Sequence, residues 1–193
     1  MSRVSWGAGL ALALLLLVPA VAAAAPRLDA MEGHLSVGYA KLFIKDAPGG
    51  SISLAAGLDY PVARTLRAGV DIGYDLLGSR TFERDSLLFA TVDYSAFQAV
   101  AFLHWLPQHL GPVRRVSVGP MLLNAHGDLS TAGGGAAFAD LAVHETAGGL
   151  AAQATLLPAW TSPVKLGLEL GWRRAYMARE DWTLLSIRAA VHY

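Results

Sequence analysis

The sequence predicts an all-β chain: eight antiparallel strands closed into an up-and-down transmembrane β-barrel, preceded by a cleavable signal peptide. Three observations carry this. Apolar residues alternate with small or polar ones at a period of two in run after run. The face opposite the apolar one is built largely from glycine, alanine and serine, where a water-facing surface would carry long charged side chains. The last strand keeps its alternation to the final residue, the aromatic Tyr193.

Composition sets the outer bounds. The chain has 193 residues, 54% of them hydrophobic and only 16% charged, which is apolar for a water-soluble domain. It has no cysteine, which excludes a disulfide framework, a thiolate metal site and a lipidated N-terminal cysteine. Fifteen Lys and Arg balance fifteen Asp and Glu, and no basic cluster suggests nucleic acid. Arg3, the apolar run Leu10 to Val18 and the small residues Ala20 to Ala25 form the three parts of a secretory signal peptide. Pro26 disfavours cutting directly before it, so cleavage is expected after Ala23 or Ala24, giving a signal peptide over 1–24 and a barrel over 25–193. The apolar run is about half of the ~20 residues that a helical span needs.

The strands follow in order. Gly33 to Ile44 sets Leu35, Val37, Tyr39 and Phe43 against His34, Ser36, Gly38 and Ala40, with Lys41 near the far end where it can reach lipid headgroups. Ser51 to Tyr60 sets Ile52, Leu54, Ala56, Leu58 and Tyr60 against Ser51, Ser53, Ala55, Gly57 and Asp59. Leu66 to Leu77 alternates most cleanly, with Val70, Ile72 and Tyr74 opposed to Arg67, Asp71 and Asp75. The fourth strand puts Phe97, Ala99, Ala101, Leu103 and Trp105 opposite Gln98 and His104. Val92 and Tyr94 have the wrong parity for that apolar face, so a bulge near Ser95 or a strand running past the membrane is expected. The fifth begins at Arg114-Arg115 and contains Pro120, which removes a ladder hydrogen bond. The sixth, within 141–157, points Leu150, Ala152, Ala154 and Leu156 outward. The seventh sets Val164, Leu166, Leu168, Leu170 and Trp172 against Lys165, Glu169 and Arg173. The eighth, Trp182 to Tyr193, sets Leu185, Ile187, Ala189, Val191 and Tyr193 against Ser186, Arg188, Ala190 and His192.

Between the strands, residues 78–86 and 124–140 are expected to be loops, the second containing Gly133-Gly134-Gly135. Proline-bearing connections at Pro61, at Pro107 and Pro112, and at Pro158 and Pro163 are shorter, which suits periplasmic turns and longer outer loops. Aromatic residues are expected at both membrane interfaces: Tyr60, Trp105, Trp160 and Tyr193 at one, Phe43, Tyr74, Trp172 and Trp182 at the other.

The small-residue face suits a narrow lumen, and closure is the one arrangement of a sheet that leaves no backbone group unpaired in lipid. Arg67, Asp71, Asp75, Lys165, Glu169, Arg173 and Arg188 share the inward parity. They are expected to pair as a network that plugs the interior, with Glu169–Arg188 the favoured pair and Arg67–Asp71 a second. An ion path is the alternative use of the same charges.

The signal peptide, the alternating strands and the aromatic-ended final strand together resemble the small bacterial outer-membrane β-barrels, the OmpA-like, OmpX-like and OmpW-like group. The resemblance implies an integral outer-membrane location, contact with outer-membrane lipid and lipopolysaccharide, recognition of the last strand by the barrel-insertion machinery, and a monomer. It implies a non-enzymatic role, structural or surface-interacting; a narrow channel or lateral-opening transporter for small hydrophobic molecules is the alternative. No periplasmic domain is expected after the barrel. Some small barrels of this kind are lipid A-modifying enzymes that use Ser, His and a carboxylate near the outer rim. The nearest residues here are His126, Asp128, Ser130, His144 and Glu145, which lie in or beside an expected loop where strand parity places nothing. His126 and Asp128 are two potential ligands in a loop, short of a metal site. No catalytic group, cofactor or metal is therefore expected.

Overall fold

A computed structural model describes residues 31–44, 49–85, 88–132, 143–156 and 164–193. Eight strands follow one another: β1 (Glu32–Phe43), β2 (Ser51–Ala63), β3 (Leu66–Asp85), β4 (Leu88–Trp105), β5 (Val113–Ala132), β6 (Val143–Leu156), β7 (Lys165–Ala175) and β8 (Trp182–His192). Each pairs antiparallel with its sequence neighbours, and β1 pairs with β8 to close the barrel. At the seam, Gly33 and Tyr193 exchange both backbone hydrogen bonds, at 2.9 and 3.0 Å. The Tyr193 ring lies against Gly33, where a Cβ would collide with it. The expected signal peptide over 1–24, Trp160, Gly133–Gly135 and the connection from Pro158 to Pro163 lie outside the described residues.

Alternation decides which way each side chain points. Leu54, Val70, Leu168 and Ile187 are 46%, 56%, 37% and 46% exposed, all on the outer surface, with Leu35, Val37, Ile72 and Leu103 among their neighbours on that belt. The opposite parity is buried in the lumen along β8 without exception from Trp182 to His192. A belt of exposed aliphatic side chains around a closed ladder is what hydrocarbon solvates and water does not.

Two expected irregularities take definite form in the ladders. Val92 and Tyr94 do face the lumen, but β4 itself runs straight. The extra residue is on β3, where the register shifts between Leu76 and Gly78 opposite Ser95 and Tyr94. Gly78 takes φ 86°, a conformation open to glycine, and the shift moves β3 from odd to even inward residues. Opposite Pro120 and Gly119, the β4–β5 ladder is interrupted at Ala101 and Phe102 and then resumes in the same register. The missing proline N–H therefore costs a local gap and no slip.

Of the expected loops 78–86 and 124–140, residues 78–85 and 124–132 are strand, and 86 and 133–140 lie outside the described residues. β3, β4 and β5 contain 20, 18 and 20 residues, about twice the 9–11 that cross the membrane. Their surplus forms an outer extension held by cross-strand contacts such as Thr81–Thr91, hydroxyl to hydroxyl at 3.1 Å. Outside lipid the outward face is polar (Asn124, Asp128, Ser130) while Ala125 and Gly127 stay buried inward, so the outer apolar face disappears although the ladder continues.

Replacing Val70 by Arg puts a charge in the lipid belt and is expected to destabilise the barrel by about 2–4 kcal/mol. Replacing Ser79 by Arg, on the outer extension, is expected to change stability by less than about 0.5 kcal/mol. Equilibrium denaturant unfolding in lipid vesicles measures both.

Candidate functional site: the charged lumen

Lumen-facing glycines make room for large polar neighbours. In the ladders Gly57 stands opposite Asp71, Gly69 opposite Asp59, Gly73 opposite Gln98 and Gly38 opposite Arg188. A Cβ on Gly57 would run into the Asp71 carboxylate and the His34 ring, and one on Gly69 into Asp59 and His104. Small residues on one strand thus seat the charges of the next.

The charges form cross-lumen ties. Arg173 on β7 donates to Asp75 on β3 at 2.7 Å, and Asp75 accepts the Ser53 hydroxyl at 2.5 Å. Arg188 lies 3.3 Å from Glu169 and donates to Gln153 on β6 at 3.1 Å. Near the termini, Arg115 on β5 lies 2.5 Å from Asp59 on β2 and 3.7 Å from Glu32 on β1. Arg67 lies 2.7 Å from Glu32 at the rim. His34 contacts Asp71 at 3.3 Å and Glu169 at 3.9 Å, and its ring stacks on His192 with centroids 5.3 Å apart. Among the described residues, four buried carboxylates (Asp59, Asp71, Asp75, Glu169) face three buried guanidiniums (Arg115, Arg173, Arg188) and three buried imidazoles.

The expected Glu169–Arg188 pair is present. The expected Arg67–Asp71 pair is not: Arg67 meets Glu32 and Asp71 meets His34. Four residues along one strand separate side chains by about 13 Å, beyond the reach of a pair. Lys165 is only half-buried, at the terminal rim opposite His192. Asp71, Asp75, Glu169, Arg173 and Arg188 are buried together. His34, Asp59, Gln98, His104, Arg115, Ser117, Gln153 and His192 were not singled out, although strand parity points each of them inward. A network of formal charges on β3, β7 and β8 omits them, because each is either neutral or on another strand.

Trp182 needs a correction. Expected at the membrane interface, it is 4% exposed and lies inside the barrel. It shares parity with Ser186 and Arg188, and that parity governs it. Its ring meets Tyr94 edge-on at 6.3 Å. With Leu42, Leu77, Met121, Leu123 and Leu184 it fills the outer half of the lumen with apolar side chains. The outer half is thus closed by hydrophobic packing and the terminal half by ion pairs. Trp105, Trp172 and Tyr193 are exposed on the outer surface and Tyr60 is partly so.

Two arrangements in the lumen have the residue types of a reactive site. His104 lies 2.9 Å from Asp59 through Nε2 and 2.7 Å from the Ser117 hydroxyl through Nδ1. Ser117, His104 and Asp59 are all buried, and Asp59 is held by Arg115 as well. These contacts tie the three groups and Arg115 to one another inside the lumen. His34, Asp59 and Asp71 offer ligand atoms within 4.8 Å of one another, but Arg115 and His104 already occupy the Asp59 carboxylate. A cavity of about 10 Å³, bounded by Asp71, Gln98, Gln153, Arg173 and Arg188, has room for a single water.

Replacing Glu169 by Gln leaves Arg188 without its carboxylate in a buried setting and is expected to cost about 3–5 kcal/mol of stability. Replacing half-exposed Lys165 by Gln is expected to cost less than about 1 kcal/mol. Vesicle-based unfolding with heat-modifiable gel mobility reads both.

No known family pattern and no curated protein matches this chain. Solved structures do share its fold. Neisserial surface protein A matches at 17% identity over 84% of this chain and 96% of that one, with a TM-score of 0.52. A major outer membrane protein from Thermus thermophilus matches at 11% identity over 85% and 100%, with a TM-score of 0.50. The chain has the fold of the small eight-stranded outer-membrane β-barrels, and its exposed apolar belt around a closed ladder suits a surrounding of lipid.

Proposed function

We propose a structural or surface-interaction barrel, non-enzymatic and monomeric, whose lumen is closed by its own side chains. The observation that supports this best is the filling of the interior: an apolar cluster around Tyr94 and Trp182 in the outer half, cross-lumen ion pairs in the terminal half, and a cavity of about 10 Å³ bordering the latter. The ladder bonds only neighbouring strands, so a barrel held by ladders alone can flatten. Arg173–Asp75 and Arg115–Asp59 join strands on different sides of the lumen and fix its cross-section. Work at the cell surface falls to the outer extension of β3, β4 and β5, whose exposed Thr81, Asp93, Asp128 and Ser130 meet water.

A transporter for small hydrophobic molecules needs an open apolar funnel, and the apolar half of this lumen is packed by Leu42, Leu77, Met121 and Leu184. A lipid A-modifying enzyme at the outer rim needs a serine beside a histidine. Ser130 donates to the Thr91 carbonyl at 3.3 Å, while His126 is engaged by His144 and Asp128. Residues 1–24 are assigned as the signal peptide on the strength of Arg3, the Leu10–Val18 run and the alanines that follow. The last strand, ending in Tyr193, is assigned as the segment read by the insertion machinery, and lipopolysaccharide as the molecule around the outer belt.

Single-channel recording on the refolded protein in planar bilayers tests the closed lumen. Membranes with inserted barrel are expected to show no stable conductance steps. A stable conductance that shifts when Glu169 is replaced by Gln would mean that ions pass the charged layer.

A further inference from the structure

Above the lipid belt the outward face of β5 turns polar: Leu122 is followed on the same parity by Asn124, His126, Asp128 and Ser130. On β6 the matching outward residues are Thr146 and His144. The register sets Asn124 opposite Thr146 and His126 opposite His144. Asn124 donates to the Thr146 hydroxyl at 2.8 Å, which anchors the two strands just below the histidines.

The two imidazoles meet through their Nδ1 atoms, 2.8 Å apart, with ring centroids at 4.2 Å and planes at 65°. Each ring nitrogen of His126 has a defined partner, because its Nε2 lies 3.0 Å from Asp128 Oδ1. The carboxylate holds the proton on Nε2 and so leaves the Nδ1 lone pair free. In the pair as it stands, His144 Nδ1–H donates to His126 Nδ1. Moving that one proton to Nε2 of His144 frees both Nδ1 lone pairs, with no change in charge, and ring rotations would turn them toward a shared ion.

We propose that His126 and His144 form a cross-strand chelating pair for a divalent transition-metal ion of the copper(II) or nickel(II) class, with Asp128 as the positioning residue. The separation is compatible with that class. Two metal–nitrogen bonds of about 2.0 Å at a right angle place the nitrogens about 2.8 Å apart, whereas a tetrahedral ion spreads them to about 3.3 Å. Asp128 plays the part that carboxylates take behind metal-bound histidines, fixing the tautomer and the ring. The ladder holds both backbones, so binding requires a proton shift and small ring rotations, with no folding step. Both side chains are accessible, and His126 is 43% exposed. An ion held by two protein nitrogens keeps its remaining positions for water or for a donor from outside the cell.

Tag-free, chelator-treated protein refolded in detergent is titrated with copper(II) and followed by calorimetry and electron paramagnetic resonance. One equivalent is expected to bind, with coupling to two imidazole nitrogens. His126→Asn and His144→Asn are each expected to weaken binding at least tenfold and to lose the two-nitrogen signal, and Asp128→Asn to weaken it about tenfold. Heat-modifiable mobility checks that each variant is folded. Copper binding that is unchanged in both histidine variants, no binding at micromolar copper, or a preference for zinc(II) over copper(II) and nickel(II) would overturn the proposal.

Discussion

A backbone N–H or C=O left unpaired in hydrocarbon costs several kcal/mol. That penalty, repeated along every strand, leaves the chain only an unbroken ring of ladders once it is in the membrane. The ring is closed here by β1 against β8, down to the two bonds between Gly33 and Tyr193. Closure then dictates the rest. With no free edge the register is fixed, and a fixed register commits each residue to lipid or to lumen. A slip by one residue would turn Leu168 inward and Glu169 out to the acyl chains.

The lumen that closure creates is too narrow to hold water-solvated charges, and the sequence fills it in two ways. Toward the termini, glycines on one strand seat carboxylates and guanidiniums from the next, and the ions pair across the interior. Toward the outer end, Tyr94, Trp182 and several leucines pack as in a soluble core. The two fillings differ in character. Ion pairs crossing the lumen contribute mainly shape, since burying charge offsets much of their attraction. The apolar cluster contributes burial, about 1.5–3 kcal/mol for each large side chain.

Much of this was legible in the sequence, and the limits have physical causes. Alternation located all eight strands and oriented Leu54, Val70, Leu168 and Ile187 outward, because lipid on one side and a crowded lumen on the other impose opposite chemistry on successive residues. It also placed Glu169 with Arg188, since adjacent strands make that pairing local. Alternation failed where the contrast of environments fails. Residues 79–85 and 124–132 continue as strand beyond the apolar belt, where the outward face turns polar while Ala125 and Gly127 stay buried inward, so the outer apolar face that marks a membrane strand is missing. The bulge at Leu77 was visible only as a misfit on β4, because a shift on one strand cannot be told from a shift on its partner. Trp182 was misplaced by residue type: tryptophan suggested an interface, while its parity pointed inward. The His126–His144 contact needed the register between β5 and β6, which the intervening residues do not encode at short range.

The central claim is that one parity of this chain is bathed in lipid tails and the other is sealed away from them. Tryptophan quenching by brominated acyl chains tests it most directly. Single-tryptophan proteins retaining Trp105, Trp172 or Trp182 are refolded into vesicles of brominated lipid, with the other tryptophans replaced by Phe. Trp105 and Trp172 are predicted to be strongly quenched and Trp182 to keep its emission. Equal quenching of Trp182, or protection of Trp105 and Trp172, would contradict the account.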